Sequence, residues 1–395
     1  MSNIDYSVNF TRCKEFVIQL LKSKLVPCVE SAPGMGKSSM AKQIAAELDL
    51  CLVDVRLSTI DATELNGFAA TMEKTMLDGS TMKVATYLPM DIWPIEGTPI
   101  PINTATGAPY KGWLILLDEL RSASPDTQAA AYRLLLDREV GNKALHKRAV
   151  VMAATNGVEH NAVAYDAGTA MQSRIAWLSL KSDLDDWIDM AQRRNFDNRV
   201  IAFLNWKGVS ALNNFNPDST ETNFGCERTW EMVSKAIKSI QTPEIPMLYN
   251  PLLVGLIGQS LAIEFQGFTQ IYTNLDTFAN VIGNPSGVAI DATRPDIMYA
   301  MAARIQSEIQ PQTVASFIDP LMIYVNRLPI EFQSMIIKTI LTKAPAMQSS
   351  CPAVTSWIQQ KSKYLVNKQQ QVAAQPMPQQ AVSPSQDDDD DDDQP

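Results

Sequence analysis

The chain has few of the residues that crosslink proteins or bind zinc. Its 395 residues include five scattered cysteines without a C-x-x-C pair, and two histidines, His146 and His160. This argues against a disulfide framework and against a Cys/His zinc site. No run approaches the ~18 apolar residues of a membrane span, and the first ten residues hold no apolar signal core. We therefore expect a cytoplasmic protein without membrane contact.

A large basic excess is also missing. The formal net charge is -10, but seven negative charges belong to the run Asp387–Asp393, so the rest of the chain carries -3. Proteins that coat nucleic acid usually carry a marked positive excess. A nucleic-acid partner is therefore not favoured, although a local basic channel stays open. With 46% hydrophobic and 19% charged residues, the composition is that of a globular protein.

The first half of the chain reads as an α/β domain. Up to about residue 180, short apolar runs alternate with longer mixed segments. The runs are rich in Val, Ile and Leu without strict alternation, which is typical of strands buried on both faces of a parallel sheet. The predicted strands are Leu25–Glu30, Leu50–Val55, Trp113–Leu117, Val150–Ala154 and Ile175–Leu180. We assign residues 1–190 to this core.

A long insertion separates the second and third predicted strands. Asp61–Lys111 is rich in Pro, Gly, Thr and Met, and segments of this length without regular structure are usually functional loops. Trp93 and Tyr110 lie within it. Two interpretations stay open for them: pore loops that grip a protein client, or packing of the loops.

The remainder of the chain predicts helices and then a tail. The helical patterns are Asp183–Arg194, Thr229–Ile240, Pro251–Phe268 and Pro329–Thr342. We assign residues 191–365 to an all-α lid with further helices. Residues 366–395 are Gln- and Pro-rich and end in poly-Asp, which predicts disorder. Such a tail either keeps the chain soluble or, alternatively, mimics nucleic acid or docks on a basic partner.

The strongest local motif follows the first predicted strand and opens a predicted helix, Lys37–Leu48. It reads Ser31-Ala32-Pro33-Gly34-Met35-Gly36-Lys37-Ser38. Glycines in this context let backbone amides point at phosphate oxygens, Lys37 reaches the β and γ phosphates, and Ser38 holds Mg²⁺. Ser31 stands where the pattern usually has glycine. The motif predicts a nucleotide-binding loop.

Polar residues follow two further predicted strands. Asp118 and Glu119 end an apolar run 81 residues after Lys37, and Asn156 follows another strand. In open α/β sheets the carboxyl ends of the strands bind ligands. Asp118 is suited to ordering Mg²⁺, Glu119 to polarising the attacking water, and Asn156 to contacting the γ-phosphate.

Two arginines are candidates for stabilising charge on the transferred phosphate. Arg174 precedes the last predicted strand, and Arg228 begins a predicted helix. Either residue is equally compatible with a surface position, where the stem of an arginine packs on apolar neighbours.

Taken in order, these motifs resemble those of AAA+ ATPases, and among them a bacterial and phage branch of the MoxR-like group. Ala32 to Ser38 resemble Walker A, and Leu114 to Glu119, which end in Asp118 and Glu119, resemble Walker B. The resemblance implies Pro33 to Ser39 as nucleotide-binding residues. Asn156 resembles sensor 1, Arg174 the arginine finger and Arg228 sensor 2. Cys226-Glu227 depart from the proline that is common before the sensor 2 arginine, and Ile175 departs from the usual Phe.

The resemblance implies ATP and Mg²⁺ as cofactors, with Ser38 and Asp118 as the metal-binding residues. It also implies a homo-oligomeric ring, commonly a hexamer, in which Arg174 completes the site of the neighbouring subunit. MoxR-like proteins often activate a partner that carries a von Willebrand A domain, so a protein client is expected. If the gene is phage-encoded, the location is the host cytoplasm.

Two other functions stay open at this point. AAA+ rings also move or load nucleic acid, which predicts a basic pore and stimulation of hydrolysis by DNA or RNA. The third interpretation is a nucleotide-sensing scaffold in which Ser31 impairs turnover.

Overall fold

The computed structural model describes residues 6–157, 171 and 173–365 of the chain. Contacts divide these residues into two compact units. The first runs to Val281 and includes Val288–Glu308; the second comprises Ile282–Gly287 and the residues from Ile309 onward. The predicted tail, 366–395, lies outside the described residues.

A five-stranded parallel sheet forms the centre of the first unit. Its members are β1 (Pro27–Ser31), β2 (Leu50–Arg56), β5 (Gly112–Asp118), β8 (Ala149–Asn156) and β9 (Ala176–Ser179). Their order is β2-β5-β8-β1-β9, and every pairing is parallel. All five strands coincide with the predicted apolar runs, so the α/β prediction is confirmed. Because all strands run the same way, β1, β5 and β8 end at one edge of the sheet.

Apolar residues cover the sheet on both faces. On one face, Val29 of β1 belongs to a buried cluster with Ile44 of α2 (Lys37–Leu48) and Val17 of α1 (Phe10–Lys22). On the other face, Cys28 belongs to a second cluster, with Leu134 of α4 (Pro125–Leu136). Successive residues of a strand point to opposite faces, which explains the absence of alternating polar residues in β1. The helix α2 begins and ends as the sequence predicts.

Local signals fix where several helices begin. The side chain of Asn9 accepts the amide hydrogen of Arg12 at the start of α1. Ser124 caps α4 in the same way, with proline at the first helical position, Pro125. Such caps satisfy amides that have no partner within the helix.

The insertion contains regular structure that the sequence reading missed. A short helix, α3 (Ala62–Asn66), precedes an antiparallel hairpin of β3 (Phe68–Thr75) and β4 (Thr81–Leu88). Trp93 is 2% exposed and donates Nε1–H to the carbonyl of Glu64 at 3.0 Å. Of the two interpretations for this tryptophan, packing is therefore the correct one. A second, smaller hairpin pairs β6 (Glu139–Val140) with β7 (Lys143–Ala144).

Helices follow β9 in the first unit and share one apolar cluster that includes Phe203, Trp230 and Phe265. They are α5 (Leu184–Arg193), α6 (Asn198–Lys207), α7 (Val209–Leu212), α8 (Glu227–Ile237), α9 (Asn250–Ile257), α10 (Gln259–Gln270) and, after α11 (Phe278–Gly283), α12 (Pro295–Glu308). Among the described residues, the helix α11 contributes none to this cluster, and its last two residues belong to the second unit. The prediction of one helix over Pro251–Phe268 was wrong. Gly258, with φ +80° and ψ 165°, breaks it into α9 and α10, because glycine adopts positive φ without a steric penalty.

The second unit is helical as well. It contains α13 (Ile318–Val325), α14 (Ile330–Lys343), α15 (Met347–Ser350) and α16 (Pro352–Lys361). Gln333 of α14 accepts hydrogen bonds from Trp357 Nε1 at 2.7 Å and from Lys361 Nζ at 2.9 Å. Within the described parts of both units, every helix falls short of the length and apolar character needed to cross a bilayer.

Candidate functional site

The loop between β1 and α2 is shaped by two glycines. Gly34 and Gly36 have φ of +80° and +82°, which side-chain-bearing residues rarely adopt. The helix begins directly after Gly36, and the amide hydrogens of its first turn have no partner within the helix. Met35 points away from the loop into the apolar cluster of α1 and α2. The backbone thus forms a cradle of amides at a helix N-terminus, as anion binding requires.

The side chain of Lys37 lies between the end of β1 and the end of β8. Its Nζ donates to Ser31 Oγ and to Asn156 Oδ1, both at 2.8 Å, and to the carbonyl of Ala32 at 3.2 Å. The side chain is 8% exposed. Burial lowers the pKa of Lys37 to about 8, against the attraction of Asp118. The cation is therefore preorganised, and its binding partners are neutral groups that a phosphate can displace.

Asp118 lies at the end of β5, beside the loop. Its Oδ2 accepts the hydroxyl hydrogen of Ser38 at 2.8 Å, and its Oδ1 accepts the amide hydrogen of Glu119 at the same distance. The side chain is 7% exposed. Asp54, on the neighbouring strand, has a pKa raised first by burial and then by Asp118. Two oxygen ligands, a hydroxyl and a carboxylate, thus meet at one point.

Glu119 has a left-handed backbone, with φ +60°. Its carboxylate accepts the hydroxyl of Ser58 and lies 3.4 Å from Arg56 Nε. Arg56 ends β2 and Ser58 follows it, so both partners come from the strand next to β5. Backbone strain of this kind clusters at functional sites. The structure brings Glu119 to the same edge as Asp118, with its carboxylate bound to protein groups.

The predicted sensor 2 arginine also lies at the loop. The amide of Arg228 donates to the carbonyl of Gly34 at 3.2 Å, and the Sγ of Cys226 fills the space where a Cβ on Gly34 would go. The charge of Arg228 contributes to the lowered pKa of Lys37. The first turn of α8 is therefore in contact with the phosphate-binding loop.

Arg174 is not brought to this site. It is exposed and lies two residues before β9, whose first residue, Ala176, pairs with Pro27 at the start of β1. Ser31, where the loop begins, is at the opposite end of that strand. Within one copy of the chain, Arg174 therefore lies near the end of β1 that is farther from the phosphate-binding loop.

Three functional candidates were missed by the sequence reading. The hydroxyl of Ser31, treated as a departure from the pattern, binds Lys37. Arg56 and Ser58, which bind Glu119, lie at the carboxyl end of a predicted strand. Their signal was available, because polar residues at this edge of a parallel sheet are ligand-binding candidates.

The geometry fits a magnesium nucleotide. The amide cradle and Lys37 match the charge of a polyphosphate, and Ser38 with Asp118 supplies the oxygen ligands that Mg²⁺ prefers. Ser39, in the first turn of α2, and Pro33, in the loop, stand at the same end of the helix. When bound, the metal would neutralise charge on the phosphate oxygens.

No protein-family model matches the chain, and no curated protein does either. Among solved structures, a candidate ATPase of Cytophaga hutchinsonii is 11% identical, with 91% of each chain covered and a TM-score of 0.32. A RuvB mutant of Thermotoga maritima is 12% identical, with 82% of this chain and 91% of that one covered and a TM-score of 0.36. NtrX of Brucella abortus is 11% identical, with 92% and 68% covered and a TM-score of 0.32. Similarities this low carry no argument about function.

Proposed function

We propose that the chain is an ATP-binding and ATP-hydrolysing AAA+ protein of the MoxR-like group. The observation that carries this proposal is the convergence of three distant motifs. Lys37 contacts Asn156, and Ser38 contacts Asp118, each at 2.8 Å. In this proposal residues 1–190 form the nucleotide-binding core and residues 191–365 the lid and further helices.

Each side chain has a role in hydrolysis. Lys37 and the loop amides bind the phosphates, and Ser38 and Asp118 hold Mg²⁺. Once the carboxylate of Glu119 releases Arg56 and Ser58, it orients and deprotonates the attacking water. Asn156 contacts the γ-phosphate when Lys37 turns toward the nucleotide. Charge stabilisation and positioning account for most of the rate enhancement in phosphoryl transfer.

The position of Arg174 supports an assembly in which neighbours complete each other's sites. It is exposed at the edge of the sheet opposite the loop. In a ring, expected to be a hexamer, Arg174 would reach the nucleotide phosphates of the neighbouring subunit. An arginine supplied by a neighbour typically raises the rate by ~10³- to 10⁵-fold. Hydrolysis should therefore depend on assembly.

A protein client is supported by the hairpin of β3 and β4. Several large apolar side chains on it are exposed: Phe68, Met72, Met76, Leu77, Met82, Tyr87 and Leu88. The register places Phe68, Met72, Met82 and Leu88 on one face of the hairpin, and exposed apolar surface of this kind commonly marks a protein interaction site. We propose that the hairpin contacts the client, which the family resemblance suggests is a von Willebrand A domain protein.

The test measures the ATPase rate per subunit against protein concentration, with molecular mass read at each point. Wild type, Glu119→Gln, Arg174→Ala and the control Arg133→Ala are compared; Arg133 is an exposed arginine paired with Glu139. We expect a rate that rises with assembly, loss of turnover in both site variants and no change in the control. A rate independent of concentration and of Arg174 would contradict the shared-site mechanism. Unchanged turnover in Glu119→Gln would remove the assigned base.

A further inference from the structure

Arg121 forms a partly buried ion pair with Glu30, close to the candidate site. It belongs to the short 3₁₀ turn Leu120–Ser122 that follows Glu119. Its Nη1 lies 2.7 Å from Glu30 Oε2, with side-chain exposures of 11% and 26%. Its guanidinium lies 4.8 Å from the ring centroid of Trp177, and its amide donates to Thr155 Oγ1 at 3.2 Å.

Two of these partners directly precede residues of the site. Glu30 is followed by Ser31, which binds Lys37, and Thr155 is followed by Asn156. Arg121 therefore connects the loop that carries Glu119 to the ends of both β1 and β8. These contacts restrain the loop, and without them a shift of the loop would move Glu119 relative to the phosphate-binding groups.

The third partner of Arg121, Trp177, lies close to Arg174 in the sequence. Trp177 lies in β9, three residues after that arginine. The segment before β9 is anchored by Met171 and Ile175, which belong to the same buried cluster as Leu120 of the turn. The strand that presents Arg174 and the turn that follows Glu119 are therefore packed together on one face of the sheet.

The cluster is not arranged for stability alone. Arg121 Nε and Trp177 Nε1 are both buried without a hydrogen-bond acceptor among the described residues. Unpaired buried donors are unfavourable and uncommon in folded proteins. An apolar pair of the same size in place of Arg121 and Glu30 would remove the unpaired donor of Arg121, and such a pair often matches or exceeds the stability of an ion pair withdrawn from water.

We infer that Arg121 is a positioning residue, which sets the loop carrying Glu119 relative to the phosphate-binding loop and to the strand that follows Arg174. The inference rests on the proposed ATPase function and adds a residue to it. Arg121 itself contacts no reacting group in this arrangement. It acts by fixing Glu119, since a displacement of about 1 Å at a reacting group can lower a rate ~100-fold.

The experiment separates a positioning role from a structural one. Arg121→Met leaves the partly buried carboxylate of Glu30 without its cation, so the melting temperature of this variant should fall. The double variant Glu30→Met and Arg121→Met removes both charges, so its melting temperature should return toward that of wild type. Arg121→Lys keeps the charge, and Arg133→Met is the matched control on an exposed pair. For each variant, kcat, the KM for ATP and the melting temperature are measured on assembled protein.

If Arg121 positions Glu119, the double variant recovers its melting temperature but keeps a kcat at least ~10-fold below wild type, with KM changed less than kcat. Arg121→Lys should recover part of kcat. If kcat recovers together with melting temperature in the double variant, the inference is overturned and the pair is only structural. If wild type and Arg133→Met do not hydrolyse ATP, the proposed function fails, and the inference with it.

Discussion

Ser38 donates its hydroxyl hydrogen to Asp118 at 2.8 Å, across 80 residues of sequence. The contact joins the first turn of α2 to the end of β5, the two elements that bear the strongest motifs. A hydroxyl and a carboxylate at this separation can share a divalent cation after a small outward movement. The pair therefore links nucleotide binding to the metal, which leads to a first prediction.

Replacing Ser38 with alanine should weaken ATP binding in the presence of Mg²⁺ but not in its absence. The variant loses an oxygen ligand of the metal and leaves Asp118 Oδ2 without its hydroxyl donor, an effect of ~1–3 kcal/mol, or about 5- to 150-fold in the dissociation constant. The measurement is a titration of ATP in Mg²⁺ and in EDTA, for wild type and variant. Equal weakening under both conditions would mean that Ser38 supports the loop and not the metal.

The lowered pKa of Lys37 predicts that ATP binding depends on pH. Burial lowers this pKa to about 8, and phosphate oxygens beside the cation must raise it again. Binding then takes up protons, so the affinity should fall as pH rises above about 8. Calorimetry at about pH 8.5, just above that pKa, in buffers with different ionisation enthalpies, measures the uptake.

Lys37→Arg is the matched control for this pH dependence, because arginine keeps its charge throughout the range. Its affinity for ATP should be lower than that of wild type but constant between about pH 7.5 and 9. Stability without nucleotide should change with pH in the opposite direction to ATP affinity. The free energy of unfolding should rise as pH increases from about 8 toward 10.5, because over this range Lys37 is protonated in the unfolded chain but not in the folded one. Proton release on binding would contradict the assignment.

The elements that could be predicted from the sequence are those governed by local rules. β5 is buried at every residue, so its apolar run is unbroken in the sequence. The glycines of the phosphate-binding loop directly indicate backbone with positive φ. The partners of Glu119 depend instead on which strand lies beside β5. That order is a property of the whole sheet. The local sequence therefore marks Arg56 and Ser58 as polar residues after a strand but does not place them beside Glu119.

The hairpin of β3 and β4 was missed for another reason. Its residues are mostly exposed, so neither strand has the buried face that makes a strand recognisable. The turn signal was present in Asp78-Gly79. The break at Gly258 was missed because apolar residues recur at helical spacing before and after it, at Ile257 and at Leu261.

Arg56 and Ser58 should restrain hydrolysis, because they bind the carboxylate of Glu119. We expect the double variant Arg56→Ala and Ser58→Ala to raise the basal rate by up to about fivefold, since a partly exposed ion pair contributes at most ~1 kcal/mol. The ATPase rate is measured at saturating ATP on assembled protein. Adding Glu119→Gln must abolish the gain. A lower rate in the double variant would show that Arg56 and Ser58 assist Glu119 as the base instead of restraining it.

Gly34 of the phosphate-binding loop lies against Cys226, the residue that directly precedes α8. A Cβ on Gly34 would lie 2.3 Å from the Sγ of Cys226, and φ at Gly34 is +80°. Gly34→Ala should therefore destabilise the chain by ~1–3 kcal/mol and displace Arg228, which follows Cys226 closely.

Gly34→Ala combined with Cys226→Ala should recover only part of this loss. Removing the sulfur relieves the overlap, but the strain of a positive φ at the substituted loop position stays. Thermal unfolding and ATP affinity are measured for both single variants and the double variant. Full recovery would mean that the overlap alone matters, whereas no recovery would show that α8 does not lie against the loop in solution, and that Arg228 reaches the nucleotide by another arrangement.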